Sequence, residues 1–442
     1  MIMSFFSHAF NIICAFFMSI TMGIGSVGAF TPAELSYESA LGNPLKGFVP
    51  FFSENGTDNG VAHSAEFFYI PLSALISDSG DYTIKEGLEP YLSKIAARSK
   101  QAIFRVYLDY PASDLGEKAV PQYIWETGIK KYTYTEFGGG VSPDFSDERL
   151  IDILVEFIHR LGDEYDGDKR IAYITAGLIG HWGEWHCYAC PEAMATDDGQ
   201  RKISDAYSES FSKTEILMRY PGTPGTENGD FGFHDDSFTY ETLGDKSQGW
   251  FFYNRLKKAK QTDIWKTRPV GGEFRPEGQT DFLNGIKTDG YRDFDECLQK
   301  THCSWLMMAG AFADGLSDEQ KNTANTASAK LGYDFTVTKA RVRRIFGKTE
   351  IVVAVKNTGS APLYADAEIY IRSGATEQKA DGKPLRTLLP NETFFYKATL
   401  APESGDEISV RISSDDTLVP IRFSNVGGSD RQDGTLILGS FK

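Results

Sequence analysis

The feature that most constrains this chain is an alternation. Between residues 40 and 315, eight short apolar runs are separated by segments of helical periodicity. The runs are "KGFVPFF" (46–52), "EFFYIPL" (66–72), "AIFRVYL" (102–108), "IAYITAG" (171–177), "EILMRYP" (215–221), "DFGFHDD" (230–236), "PVGGEF" (269–274) and "SWLMMAG" (304–310). Strands that alternate with helices pair in parallel, and eight such units over roughly 270 residues fit a (β/α)8 barrel. A doubly wound open sheet is the competing arrangement, but no run is followed by the glycine-rich phosphate loop such sheets use. The clearest helix signal covers 146–161. Ser146 stands where it can cap, Asp147 and Glu148 suit the first turn, and "LIDILVEFIHRL" supplies the apolar face.

The texture changes after "GLSDEQKNTANTASAKLGYDF", which reads as a final barrel helix. Residues 335–442 hold short β runs such as "TEIVVAVKN", "DAEIYIRS" and "TFFYKATL", broken at about ten-residue intervals by Gly, Pro, Asn and Asp. About a hundred residues in this pattern fit a β-sandwich. The expected chain is therefore α/β, with a barrel over 30–332 and an all-β sandwich over 333–442.

The first thirty residues carry no Lys, Arg, Asp or Glu, and "NIICAFFMSITMGIG" leads to the small residues "SVGA". This reads as a signal peptide over 1–29, cleaved near Ala29, with an uncleaved membrane anchor as the competing reading. No other segment is apolar enough to span a membrane, so a secreted, periplasmic or cell-surface location is expected. A net charge of -16 argues against nucleic acid as a partner. Aromatic residues, at 13%, suit sugar-binding clefts and ordinary cores alike.

In such a barrel the working groups sit where strands end, on the face that carries the βα loops. Asp109 follows the third run, Glu184 the fourth and Asp235 or Asp236 the sixth, and Glu273 stands in "PVGGEF". Cleaving a glycosidic bond needs two carboxyl groups, one to protonate the leaving oxygen and one to attack or to activate water. Glu184 and Glu273 are the expected pair, Glu184 as acid beside Trp182 and Trp185, Glu273 as the ionised partner. Gly271 and Gly272 leave room there for a ligand or for another backbone. Arg105, Tyr107 and Asp109 share one face of the third strand, and an Arg–carboxylate network fits them as well as substrate contact. His186, His234 and Asp236 complete the candidate binding set with Trp182 and Trp185. The insert at 111–144 holds Tyr123, Trp125, Tyr132, Tyr134 and Phe137, as sugar platforms or as packing.

Cys14 would leave with the signal, which keeps Cys187, Cys190, Cys297 and Cys303. The first two follow the fourth strand and the last two precede the eighth, on opposite barrel faces about 16 Å apart for five residues at 3.3 Å each. Disulfide Cα atoms lie within about 7 Å, so local bridges are expected, Cys187 with Cys190 and Cys297 with Cys303. The same distance excludes a four-cysteine metal site. His181 and His186 also lack HExxH spacing, so neither metal nor cofactor is expected.

The motifs "NPLKGF" (43–48), "GLIGHWGEWH" (177–186), "GFHDDSF" (232–238), "PVGGEF" (269–274) and "GYDF" (332–335) give the chain a resemblance. It resembles a family of secreted, largely uncharacterised microbial proteins grouped with the glycosidase-like TIM barrels. That resemblance implies a barrel followed by a β-sandwich and a carbohydrate-related role. The wider retaining-glycosidase clan places Asn before its fourth-strand acid, whereas Gly183 precedes Glu184 here. The expected function is a glycoside hydrolase acting on a polysaccharide or glycan. A non-catalytic carbohydrate-binding or surface protein is the alternative, and a metal-dependent hydrolase is the third possibility.

Overall fold

The computed structural model describes residues 30–345, 348–426 and 433–442; the signal segment and Cys14 lie outside them. Two compact units result. One comprises Pro44–Gly332 with Asp416–Val419, and the other the described residues of 30–43, Tyr333–Asp415 and Pro420–Lys442.

In the first unit eight parallel strands form a nearly closed barrel: β1 (Gly47–Val49), β2 (Ala65–Pro71), β3 (Gln101–Tyr107), β4 (Ile171–Thr175), β5 (Ile216–Met218), β6 (Gly232–Phe238), β7 (Val270–Phe274) and β8 (Trp305–Met307). Each strand pairs with its neighbour in sequence from β2 to β8, and β8 pairs with β1 through Trp305↔Gly47 to Met307↔Val49. The remaining seam, β1 to β2, is held just past β1. There Phe67 N–H donates to the Pro50 carbonyl (2.9 Å) and Phe52 N–H to the Phe67 carbonyl (2.7 Å). β3 and β4 are buried at every residue, which is why both appear in the sequence as continuous apolar runs rather than alternating ones. All eight predicted strands exist, and most shift by only one or two residues at an end. The fourth stops two residues early, with loop from 176 to 190, and the first, fifth and eighth each stop three residues early.

The helix predicted at 146–161 runs Glu148–Tyr165. Its cap is Asp147, whose carboxylate accepts from Arg149 N–H; Ser146 instead bonds Asp144. Leu150, Ile151, Leu154, Phe157, Ile158 and Leu161 form its buried stripe, each contributing roughly 1.5–3 kcal/mol on full burial. Gly162 lets it pack closely on the helix Asp197–Ser210, since a Cβ there would meet Ser210 Cβ at 2.5 Å. The 111–144 insert is ordered, with a short helix (Gln122–Glu126) and a hairpin of Lys131–Tyr134 with Gly140–Pro143.

The second unit holds two larger antiparallel sheets and a two-stranded pairing of Ser36–Tyr37 with Asn425–Val426. One joins Phe335–Ile345, Lys348–Asn357 and Thr393–Leu400 in that order. The five-stranded sheet runs Phe30–Pro32, Leu436–Phe441, Glu407–Ser413, Glu368–Ser373, Thr376–Lys379. The boundary expected at residue 30 is thus corrected: residues 30–43 group with the β unit, where Phe30 pairs with Phe441. Thr393–Leu400 alternates strictly between exposed and buried positions, the period-2 pattern of a sheet with one wet face.

Candidate active site

Arg105 organises the barrel mouth. It sits on β3 at 2% exposure, and burial of its guanidinium is offset by partners on three neighbouring elements. Nη2 donates to Asp236 (2.9 Å), Nη1 lies 3.3 Å from Glu184, and Nε donates to Thr175 Oγ1 (3.1 Å). A second arginine, Arg219 past the end of β5, places Nε 3.5 Å from Asp236 and 4.0 Å from Glu184. On β6, His234 and Asp236 turn inward together, and His234 Nδ1 donates to Asp236 (2.7 Å). Burial lowers His234 to about 4, so the ring is neutral at pH 7. Burial opposes ionisation of Asp236, but Arg105, His234 and Arg219 together hold its carboxyl well below the usual range.

Glu184 hangs from a loop with unusual backbone. Leu178, Trp182 and Trp185 adopt φ of 73°, 52° and 60°, with Gly180 and Gly183 also left-handed. Each such non-glycine residue costs about 1 kcal/mol or more and persists only where the surroundings fix it. Here they do. Trp182 N–H bonds the Asp109 carbonyl (2.8 Å), Trp185 N–H the Ile179 carbonyl (2.9 Å), and the Trp185 indole the Ala176 carbonyl (2.8 Å). His181 Nδ1 donates to Asp109 (2.7 Å), while its Nε2 accepts from Ala189 N–H (3.1 Å). Tyr134, from the insert, donates to the other oxygen of Asp109 (2.6 Å). Asp109 and His181 are therefore both fully buried and spent on holding the loop; Asp109 is corrected from binding candidate to loop anchor.

Glu273 follows Gly271 and Gly272 on β7 and is only partly exposed. The glycines admit protein rather than ligand. A Cβ on Gly271 would strike the Trp305 ring at 2.1 Å, and one on Gly272 (φ +150°) the Asp235 carbonyl at 2.0 Å. Glu273 has no hydrogen-bond or ion-pair partner among the described residues. Burial first, then the nearby charges of Asp236 and Glu184, push its pKa well above the usual value. No cation forms an ion pair with Glu273 among the described residues, so its negative charge would stand uncompensated beside those of Asp236 and Glu184. This corrects the expected electrostatics: the raised pKa belongs to Glu273, and Glu184 is the group that is ion-paired. Trp185, a candidate binding residue beside Glu184 in the sequence, is buried, its indole donating to the Ala176 carbonyl.

A cleft of about 340 Å³ opens beside these groups, lined by Glu184, His186, Trp182, Arg219 and Asp235 among others, with Phe137 and Trp250 exposed at its rim. Glu273 is not among its lining residues. His186 places Nε2 3.5 Å from Glu184 and rests its ring against Tyr188. Tyr107 is buried against Tyr69 and Tyr110, and burial pushes it up to about 12. In the insert, Trp125 and Tyr134 are core, whereas Phe137 stacks edge-on against Trp182 (5.3 Å) and faces the cleft. Sequence reasoning missed Arg219, Arg255 and Tyr188. Arg219 carried the same signal as Arg105, a cation within an apolar strand run.

The two expected disulfides are not formed. All four cysteines are free, buried thiols. Cα reach says which pairs can meet, not where sulfur points; Cys303 Sγ donates to the Trp305 carbonyl (3.2 Å). Burial raises the Cys187 and Cys190 thiols, which disfavours the thiolate that disulfide exchange needs. Among the described residues, no group of three or more His, Cys, Asp or Glu is arranged to hold a metal ion. Nor is any helix there long and apolar enough to cross a membrane.

No protein-family model and no curated protein matches the chain. Among solved structures it is similar to endo-glycoceramidase II from Rhodococcus sp., also solved in complex with ganglioside GM3. That match has 11% identity and a TM-score of 0.42 over 84% of this chain and 100% of that one. It is also similar to a family 39 glycoside hydrolase from Bacteroides cellulosilyticus WH2, at 8% identity and a TM-score of 0.39 over 80% of this chain and 81% of that one. Both neighbours are glycoside hydrolases, at a distance that assigns neither family nor activity here.

Proposed function

We propose that this protein is an exported glycoside hydrolase, built as a (β/α)8 barrel with a β-sandwich, that acts on a polysaccharide or glycan. The observation that carries it is the contrast between two neighbouring carboxyl groups, Glu184 ion-paired with the buried Arg105 and Glu273 only partly exposed and without an ion-pair partner. Acid–base division of labour needs two carboxyl groups in different surroundings, one of them favouring its proton. Glu273, holding its proton, is the donor to the glycosidic oxygen. Glu184, against Arg105 and open to the cleft, is the carboxylate that attacks or activates water. Trp182, Phe137 and Trp250 supply flat faces for sugar rings. The charge-free, apolar first thirty residues support export.

A second reading has its own support. Glu273 does not line the cleft, which suits a carbohydrate-binding protein that keeps the barrel scaffold. A glycan panel screened for released reducing ends, followed by calorimetry, separates the two. Glu184→Gln and Glu273→Gln should each lower turnover at least about 10²-fold while sugar binding persists. Full turnover in either variant removes the hydrolase reading and leaves the binding protein.

A further inference from the structure

Beside the cleft lies a second cavity, of about 430 Å³, within the range of small-ligand pockets (about 300–1,000 Å³). His186, Tyr188, Tyr220 and Arg255 line both, so the two are continuous. The cleft side carries the carboxylates Glu184, Asp235 and Glu241. The second cavity carries none, and Arg255 is its one permanently charged lining group.

Arg255 is unusually unattended for a half-buried cation. Its Nε is shut off from solvent without a hydrogen-bond partner. Its guanidinium lies 4.1 Å over the Tyr220 ring, and no carboxylate pairs with it among the described residues. Burial, with the charge of Arg219 adding to it, lowers its pKa. Of the other polar groups of the pocket, Gln200 Nε2 donates to the Ala195 carbonyl and Thr223 Oγ1 to the Tyr220 carbonyl, while His186 Nδ1, like Arg255 Nε, is buried without a partner. A buried cation without a counter-ion carries a desolvation cost, and an anion entering the pocket would relieve it. In a chain of net charge -16, an acid-free pocket around such a cation is selective by charge alone.

We propose that this cavity is a subsite for an anionic sugar unit, whose carboxylate or sulfate ester pairs with Arg255 while its ring packs on the exposed Tyr188. The inference rests on the carbohydrate reading of the cleft and narrows its substrate class to acidic glycans. Calorimetry on the full-length Glu273→Gln protein tests it, because that variant removes turnover and keeps Glu184 in place. The probes are oligogalacturonides, sulfated galacto-oligosaccharides and neutral xylo-oligosaccharides of matched length. One anionic class should bind at least about tenfold tighter than the neutral one, the scale of one charge-assisted hydrogen bond, with the margin shrinking in salt. Which class wins identifies carboxylate or sulfate. Arg255→Gln should erase the margin while neutral binding stays, and Arg255→Lys should restore part of it. Equal binding of charged and neutral oligomers, no binding of any charged oligomer, or a margin that survives Arg255→Gln would each overturn the subsite. Loss of the hydrolase reading looks different: no Glu184-dependent cleavage, with the anion preference and its Arg255 dependence intact.

Discussion

The barrel mouth and the interior of the β unit both bury polar side chains, but they treat them differently. In the β unit Asn357 is fully buried and fully satisfied. Its Nδ2 donates to the Ala361 (2.9 Å) and Leu388 (3.0 Å) carbonyls, and its Oδ1 accepts from Asp334 N–H (3.1 Å) and Gly359 N–H (3.0 Å). At the barrel mouth, Glu273 has no partner, and the Nε2 of His234 and the Nε of Arg255 are buried without one. Asn357 closes its hydrogen bonds within the protein, and the buried atoms the β unit leaves open include two uncharged hydroxyls, those of Ser409 and Thr435. A polar group kept for a ligand leaves its hydrogen bonds open, and the folded state carries that cost.

That contrast can be broken or sharpened by substitution. The largest effect should come from Arg105→Met, which strands Asp236 and Glu184 beside a single remaining arginine. Breaking a buried ion pair from one side costs about 3–5 kcal/mol, read from urea unfolding. A loss under about 1 kcal/mol would mean that Arg219 alone carries the network.

Asn357→Ala should follow at about 2–3 kcal/mol, because it leaves buried donors and acceptors unpaired. Hydrogen exchange provides a local readout: the Asp334 and Gly359 amides should lose protection while β3 amides do not. Unchanged protection would show that Asn357 is not the hub the geometry describes.

Glu273→Gln should act in the opposite direction, stabilising the protein at pH 7 by on the order of 1 kcal/mol. The folded protein keeps the Glu273 proton to a higher pH than the unfolded chain does. Above the ordinary value near 4.5 the unfolded state has already released it, so the wild type loses stability as pH rises through that window. The gain from Gln should therefore fade on acidification below about pH 4.5. A gain independent of pH would place its origin in packing rather than in the buried carboxyl.

How much of this was legible in the chain depended on range. The eight strands were, because a strand buried on both faces leaves a continuous apolar run in its own sequence. Glu184 and Glu273 were legible as charges near strand ends, where a barrel keeps its chemistry, and Arg105 as a cation within an apolar strand. The raised pKa of Glu273 was not, since it arises first from burial and then from Asp236 and Glu184, all set by elements distant in sequence. Arg255 sits on a helix among ordinary surface residues, and nothing local separates it from the lysines that follow. The pairing of Phe30 with Phe441 joins residues from opposite ends of the chain, beyond any local signal.

The seam of the barrel has a consequence in time rather than in space. Neighbouring strands such as β2 and β3 join residues about 36 apart, whereas β8 meets β1 across roughly 260 residues, and loop-closure entropy grows only as the logarithm of that length. Three doublings of loop length at about 0.6 kcal/mol each add about 2 kcal/mol, the scale of one buried side chain such as Phe48 or Leu306. Closing the ring is therefore cheap once the other strands stand. A growing chain can assemble its sheet pair by pair as it emerges, and Gly47 need only wait, unpaired on that edge, until Trp305 arrives.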